Sequence, residues 1–231
     1  MSNKIKPVVG AAKTIDESLK KQISQYAISE DLGVSLLSQM LEFVPASEER
    51  AFLESQIQDE IKHNRLFADR ADELGIEEKF FQDSLEELYK FGQECVDKKD
   101  WLLCVTCQSV IEELAFASFS AFYKRADEKT RSFLVEVMSD EKRHLEFALW
   151  QIGKWCVSEE DRAKVLKLQE EVLKIFLNAL QPERLSNLFT AEDQKYFKQV
   201  LRRTYAIHKQ RFAELKLEVP ELPKKMLASL I

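Results

Sequence analysis

The residues best able to do chemistry in this chain fall in two short matching runs. Asp59-Glu60-Ile61-Lys62-His63 and Asp140-Glu141-Lys142-Arg143-His144 both read Asp-Glu-x-x-His, with a basic residue just before the histidine. On a helix, a Glu and a His three positions apart share a face, so both heads can reach one metal ion from a single turn. Each run is then half of a site. The chain contains 3 histidines, and two of them, His63 and His144, close these runs. Asp59 and Asp140 stand on the same face one turn earlier, where a carboxylate can accept the remaining imidazole N–H and fix its tautomer. A charged bundle whose Glu and His merely alternate with core residues is the plain alternative. It gives no reason for the run to occur twice with its flanking residues.

Two cations bridged by carboxylates need more oxygen ligands than two glutamates supply, and helical bundles meet the need with one further Glu from each of two partner helices. Such glutamates belong about thirty residues upstream of each run. Glu30 lies 30 residues before Glu60, and Glu113 lies 28 before Glu141. Glu30 shares its face with Tyr26, Gly33, Val34 and Leu37, whereas Asp31 aligns with Ser35 and Ser38 on a wetter side, so Glu30 is the expected ligand. Between Glu112 and Glu113 periodicity does not decide, because the helix around them is apolar on nearly every side. The one that is not a ligand must find a hydrogen-bond partner or an edge of the bundle.

The elements that would carry these residues are helices from end to end. Only 5 Gly and 5 Pro occur in 231 residues, too few for a turn-rich sheet protein. Capping and stop signals place helices from Thr14 to about Val44, Ser47 to Gly75, Asp83 to Asp97, Trp101 to about Lys124, Glu128 to Cys156, Ser158 to Leu180, and Thr190 to Leu217. Short connections between long helices imply antiparallel neighbours. The expectation is one all-α domain over 1–231: a metal-binding core over about 15–156, additional helices over about 158–217, and a tail over 218–231. Trp101 to Lys124 should lie in the middle of the bundle.

Charge and composition exclude several classes. A formal net charge of −6 and a pI near 5.4 disfavour a nucleic-acid partner. The first residues lack the apolar core of a secretory signal, and no long uninterrupted apolar run suggests a membrane span, so a cytoplasmic protein is expected. Cys95, Cys104, Cys107 and Cys156 sit at no disulfide-framework spacing and read as reduced core thiols. His208, on the last helix, reads as structural or surface. Phe67, Phe116, Phe119, Leu145 and Phe147 surround the candidate ligands and would line any pocket beside them.

Glu30, Glu60/His63, Glu113 and Glu141/His144, in the order Glu, ExxH, Glu, ExxH, resemble the six-ligand set of the ferritin-like non-haem di-iron oxygenases and oxidases. The stretch Cys107-Gln108-Ser109-Val110-Ile111-Glu112-Glu113-Leu114-Ala115-Phe116 is similar to the third ligand helix of the aldehyde-deformylating oxygenases, and that likeness puts the ligand at Glu113. The resemblance implies a ferritin-like antiparallel bundle holding two Fe ions, or an Mn/Fe pair, with O₂ as co-substrate. His63 and His144 would each take one metal, Glu60 with Glu141 or Glu113 would bridge them, and Glu30 would be terminal. The implied activity is oxidation of a small, largely apolar organic molecule by hydroxylation, N-oxygenation or aldehyde deformylation. An external electron donor and a homodimer are also implied. A ferroxidase or iron-handling protein is the alternative, and a metal-free helical interaction protein a third. Phe67 stands where ribonucleotide reductase small subunits usually carry a radical-forming tyrosine, and Ala117 where the hydrocarbon monooxygenases commonly carry threonine.

Overall fold

The computed structural model describes residues 17–77, 83–179 and 191–221, and these form helices joined by short turns. In chain order the helices are α1 (Glu17–Met40), α2 (Ser47–Leu74), α3 (Asp83–Asp97), α4 (Trp101–Tyr123), α5 (Glu128–Trp155), α6 (Glu159–Ala179) and α7 (Ala191–Glu214). The expected Thr14 cap and the segment around Pro182 lie outside the described residues.

Most boundaries follow from local chemistry. Asp100 caps α4 by accepting from the Leu103 N–H at 3.2 Å, and Asp127 caps α5 by accepting from the Thr130 N–H at 2.7 Å. Ser158 and Asp161 form a reciprocal box at the start of α6: the Ser158 Oγ accepts from the Asp161 N–H, and Asp161 Oδ2 accepts from the Ser158 N–H. Gly75 ends α2 in the left-handed conformation, φ 65°, with bonds back to the last turn. Two expectations are corrected. Ser47 is the first helical residue of α2 rather than its cap; Ala46 holds the cap position with no side-chain bond. α1 stops at Met40 instead of near Val44, because i to i+3 bonds at Glu42 and Phe43 tighten the chain into a turn, and Arg50 donates to the freed Leu41 carbonyl at 2.6 Å.

The core is split into two apolar clusters, and the order in which each helix visits them gives the topology. α1 runs from the cluster containing Ile23 and Tyr26 to the one containing Leu37 and Met40, and α2 runs back, from Leu53 and Ile57 to Phe67 and Ala71. α4 runs in the same sense as α2, from Trp101 and Val105 to Phe119 and Phe122, and α5 returns from Leu134 and Val137 to Phe147 and Ile152. The antiparallel pairs α1/α2 and α4/α5 are therefore linked by the crossover containing α3. α6 packs on α3 and α4, and α7 packs on α4.

α4 is long and apolar enough in composition to cross a membrane, but it is the central core helix, touching α3, α5, α6 and α7. All four cysteines are buried and unpaired by disulfides, as core thiols should be. Phe116 departs from the expected lining set: it points outward and is 37% exposed, while Phe67, Phe119, Leu145 and Phe147 are buried core.

Candidate metal centre

On α1, α2, α4 and α5, the candidate ligands occupy the chain segment between that helix's residues in one apolar cluster and its residues in the other. The polar residues thus form one layer between two dry ones, and within that layer Glu30, Glu60, Glu112, Glu141, His63 and His144 are all buried. Their atoms fall into two groups. Glu30, Glu60, His63 and Glu141 each place a ligand atom within 4.8 Å of the others, and so do Glu60, Glu112, Glu141 and His144. The imidazole rings are tilted by 40° to each other with centroids 6.2 Å apart.

Glu60 and Glu141 belong to both groups, and their oxygens divide between them. Glu60 presents Oε2 to His63 Nδ1 at 3.6 Å and Oε1 to His144 Nδ1 at 3.1 Å. Glu141 presents Oε1 to His63 Nδ1 at 3.3 Å and Oε2 to His144 Nδ1 at 3.7 Å. Each of the two carboxylates could thus serve both histidine groups at once. Glu30 touches the His63 side only, with Oε2 3.6 Å from Nδ1.

Both Nδ1 atoms are buried without a hydrogen-bond partner, whereas both Nε2 atoms are engaged. Nε2–H of His63 donates to Asp140 at 3.2 Å, and Nε2–H of His144 donates to Asp59 at 3.3 Å. The two aspartates thus do accept the spare imidazole protons, but crosswise, each serving the histidine of the other run. Lys62 and Arg143, the basic residues before the histidines, complete the exchange: Lys62 donates to Asp140 at 2.7 Å and Arg143 to Asp59 at 2.6 Å. Orphaned buried Nδ1 atoms, their tautomers set from behind and facing four carboxylates, fit a pair of divalent cations.

Electrostatics describe how the cluster copes as a set of bare side chains. Burial pushes the Glu30 and Glu112 carboxyls well above the ordinary range. Burial acts the same way on Glu60 but is outweighed by the imidazoles of His144 and His63 beside it, which hold it low. Glu141 is held low in the same manner, against burial and the charge of Glu60, by Glu112 and both histidines. Burial disfavours the imidazolium of His144, yet Asp59, Glu141 and Glu60 push its pKa up to about 12. His63 is raised likewise by Glu141, Glu30 and Glu60 against the effect of burial.

The expectation of Glu113 as the fourth-helix ligand is corrected. Glu113 is buried on a different side of α4, paired with His208 and with Arg211, whose Nη1 lies 3.2 Å from its Oε1. Glu112 faces the cluster instead. It is steadied by Gln56, whose Nε2 donates to Glu112 at 2.9 Å and to Glu60 at 3.3 Å, while Gln56 Oε1 accepts from Gln108 at 2.7 Å. A signal for this existed: Gln56-x-x-x-Glu60 on α2 is matched by Gln108-x-x-x-Glu112 on α4. Tyr89 on α3 was also not singled out from the sequence. It bonds Ser29, and burial together with the charges of Glu30, Glu60 and Glu112 raises its phenol pKa. Tyr26, also raised by burial, bonds Ser118 and packs on Phe67, Phe119 and Phe122.

The architecture is shared with a solved structure, protein 19 with aldehyde deformylating oxidase activity from Synechococcus, at a TM-score of 0.67 over 83% of this chain and 91% of that one. The fold is ferritin-like. Sequence identity between the two is 18%, so the likeness is one of fold. No family model matches the sequence, and no curated protein does. A ferritin-like bundle places a Glu from two helices and a Glu-x-x-His from the two others around a central di-metal site. Here α1 and α4 bring Glu30 and Glu112, and α2 and α5 bring Glu60/His63 and Glu141/His144, into two groups that could each hold an ion.

Proposed function

We propose that the chain is a di-iron oxygenase that uses O₂ to oxidise a small, largely apolar organic substrate. The observation that carries this reading is the pair of carboxylates, Glu60 and Glu141, each offering one oxygen to either histidine in a buried layer. Glu30 and His63 would hold one metal, Glu112 and His144 the other, with Glu60 and Glu141 across both. Four carboxylates and two neutral imidazoles balance two divalent ions, and the nitrogen and oxygen donor set suits iron or manganese. When bound, the metal pair supplies the binding and reduction of O₂, with electrons from an external reductant.

The chain's own residues then have defined tasks. Asp140 and Asp59 keep Nε2 of each histidine protonated, so Nδ1 faces the metals as a lone pair. Gln56 holds Glu112 and Glu60 in register through one amide. The apolar clusters above and below keep bulk water away from the layer. Tyr89, bonded to Ser29 next in sequence to Glu30, would keep its phenol protonated beside the carboxylates.

The test is O₂ consumption by protein loaded anaerobically with Fe(II) and supplied with a chemical reductant. Medium-chain aldehydes are the first substrate class to try, alongside alkanes and aryl amines. The reading predicts uptake that depends on the organic compound and continues over many turnovers. Uptake limited by added Fe(II) and indifferent to the organic compound would instead make the protein a ferroxidase.

A further inference from the structure

α4 carries two adjacent glutamates, and consecutive residues on a helix point about 100° apart. A helix with an amphipathic stripe is oriented by burying that stripe, but α4 is apolar nearly all round, so hydrophobic burial alone distinguishes its rotations poorly. Buried polar contacts then have to select the register, as single buried polar residues do in coiled coils. Thr106 and Ser109 do not help, because each bonds a backbone carbonyl of its own helix. Near the middle of α4, contacts to α2 and to α7 hold different sides of the helix. Gln108 and Glu112 meet Gln56 on the α2 side, and Glu113 meets His208 and Arg211 on the α7 side.

The second contact is fully built. Both oxygens of Glu113 are engaged, one by His208 Nδ1 and one by Arg211. The other ring nitrogen of His208 donates to Gln169 Oε1 at 2.9 Å, and Gln169 is itself oriented by donating to the Val165 and Glu218 carbonyls, each at 3.3 Å. Three parts of the C-terminal region, α6, α7 and the segment after α7, therefore converge on one carboxylate next in sequence to Glu112. None of His208, Gln169 and Arg211 is among the residues grouped around the candidate metals.

We propose that His208 and Arg211 are positioning residues: by holding Glu113 on the α6/α7 side they fix the rotation of α4 and so present Glu112, not Glu113, to the metal cluster. This rests on the metal-centre reading and gives the helices beyond residue 158 a role in assembling it. Without the clamp, Glu113 is a buried carboxylate with no partner, and turning toward the cluster is its nearest relief.

Two arms test this. In crystals of metal-free His208→Leu/Arg211→Leu protein, Glu112 should have lost its bond to Gln56, with Glu113 turned toward the layer; an unchanged Gln56–Glu112 contact overturns the proposal. In anaerobic Co(II) titrations followed by visible absorption, wild type should fill two sites. The double variant should keep the step belonging to His63 and weaken the His144 step by roughly 10- to 100-fold. Adding Glu113→Leu removes the competing carboxylate and should restore that second step, which a merely destabilising loss of the clamp would not allow. A triple variant as weak as the double, or equal weakening of both steps, overturns the proposal. Should the double variant fail to fold, His208→Leu alone is read by the same two criteria. Wild type that binds no Co(II) sinks the metal-centre reading instead, and the crystallographic arm alone then decides the clamp.

Discussion

His63 Nε2 lies 3.2 Å from Asp140 Oδ2, so the first metal-binding run is completed by the acidic residue of the second. The reverse contact, His144 to Asp59 at 3.3 Å, makes the relation reciprocal, and Lys62 and Arg143 each neutralise the aspartate from outside. Each half of the centre is thereby tied to the other before any cation binds. Orientation of a metal-binding imidazole by its outer hydrogen bond is commonly worth 10- to 100-fold in affinity.

A double-mutant cycle separates crossed from same-helix support. Asp140→Ala should weaken metal binding by roughly 10-fold or more in wild type but add little in a His63→Ala background, while its effect persists in His144→Ala. Asp59→Ala should show the mirror pattern. Coupling within a run instead of between runs would contradict the crossed arrangement.

Proton release gives a second test. Neighbouring carboxylates raise the pKa values of His63 and His144, and burial raises those of Glu30 and Glu112, whereas cation binding needs all four groups deprotonated. Divalent ions should therefore displace protons on binding, and metal affinity should fall as pH falls. Calorimetry in two buffers of different ionisation enthalpy measures the number. The sign for stability also follows. A raised histidine stabilises the fold fully below its unfolded pKa of about 6.5, and that contribution is lost as pH rises toward the folded value. Metal-free protein should thus lose stability progressively as pH rises from about 6.5 toward about 12, and metal-loaded protein should not.

Gln56→Leu removes a fully buried amide that two carboxylates share. Leaving buried hydrogen-bond partners unsatisfied costs about 1–3 kcal/mol, and leucine supplies nothing in return. Denaturant unfolding of metal-free protein should show a loss of that size. A loss below about 0.5 kcal/mol would mean that Gln56 is not holding the layer together.

Two glycines should respond in opposite directions. Gly75 sits at φ 65° with open space around it, so Gly75→Ala costs about 1 kcal/mol through backbone conformation alone. Gly33, inside α1 and equally uncrowded, should gain roughly 0.5–1 kcal/mol when replaced by alanine. Thermal or urea unfolding of the two variants checks both signs.

What could be read in the sequence was whatever one helical turn determines. Glu60/His63 and Glu141/His144 are such pairs, and Glu30 was chosen by the apolar neighbours on its own face. The choice between Glu112 and Glu113 could not be made that way, since a helix apolar all round gives periodicity no phase. It is settled by His208, 95 residues further along the chain. The crossed aspartates were invisible for a related reason: position within a run places Asp140 on the face of His144, and only packing of α2 against α5 brings it to His63. Tyr89 lies on the crossover helix, outside any motif, and its nearness to the carboxylates depends on how α3 lies across the bundle.

Anomalous diffraction at the iron edge from crystals soaked anaerobically in Fe(II) tests the central claim most directly. The account predicts two peaks, one among Glu30, Glu60, His63 and Glu141 and one among Glu60, Glu112, Glu141 and His144, both absent in Glu141→Ala crystals. No peak in that layer, or iron bound instead beside Glu113 and His208, would contradict it.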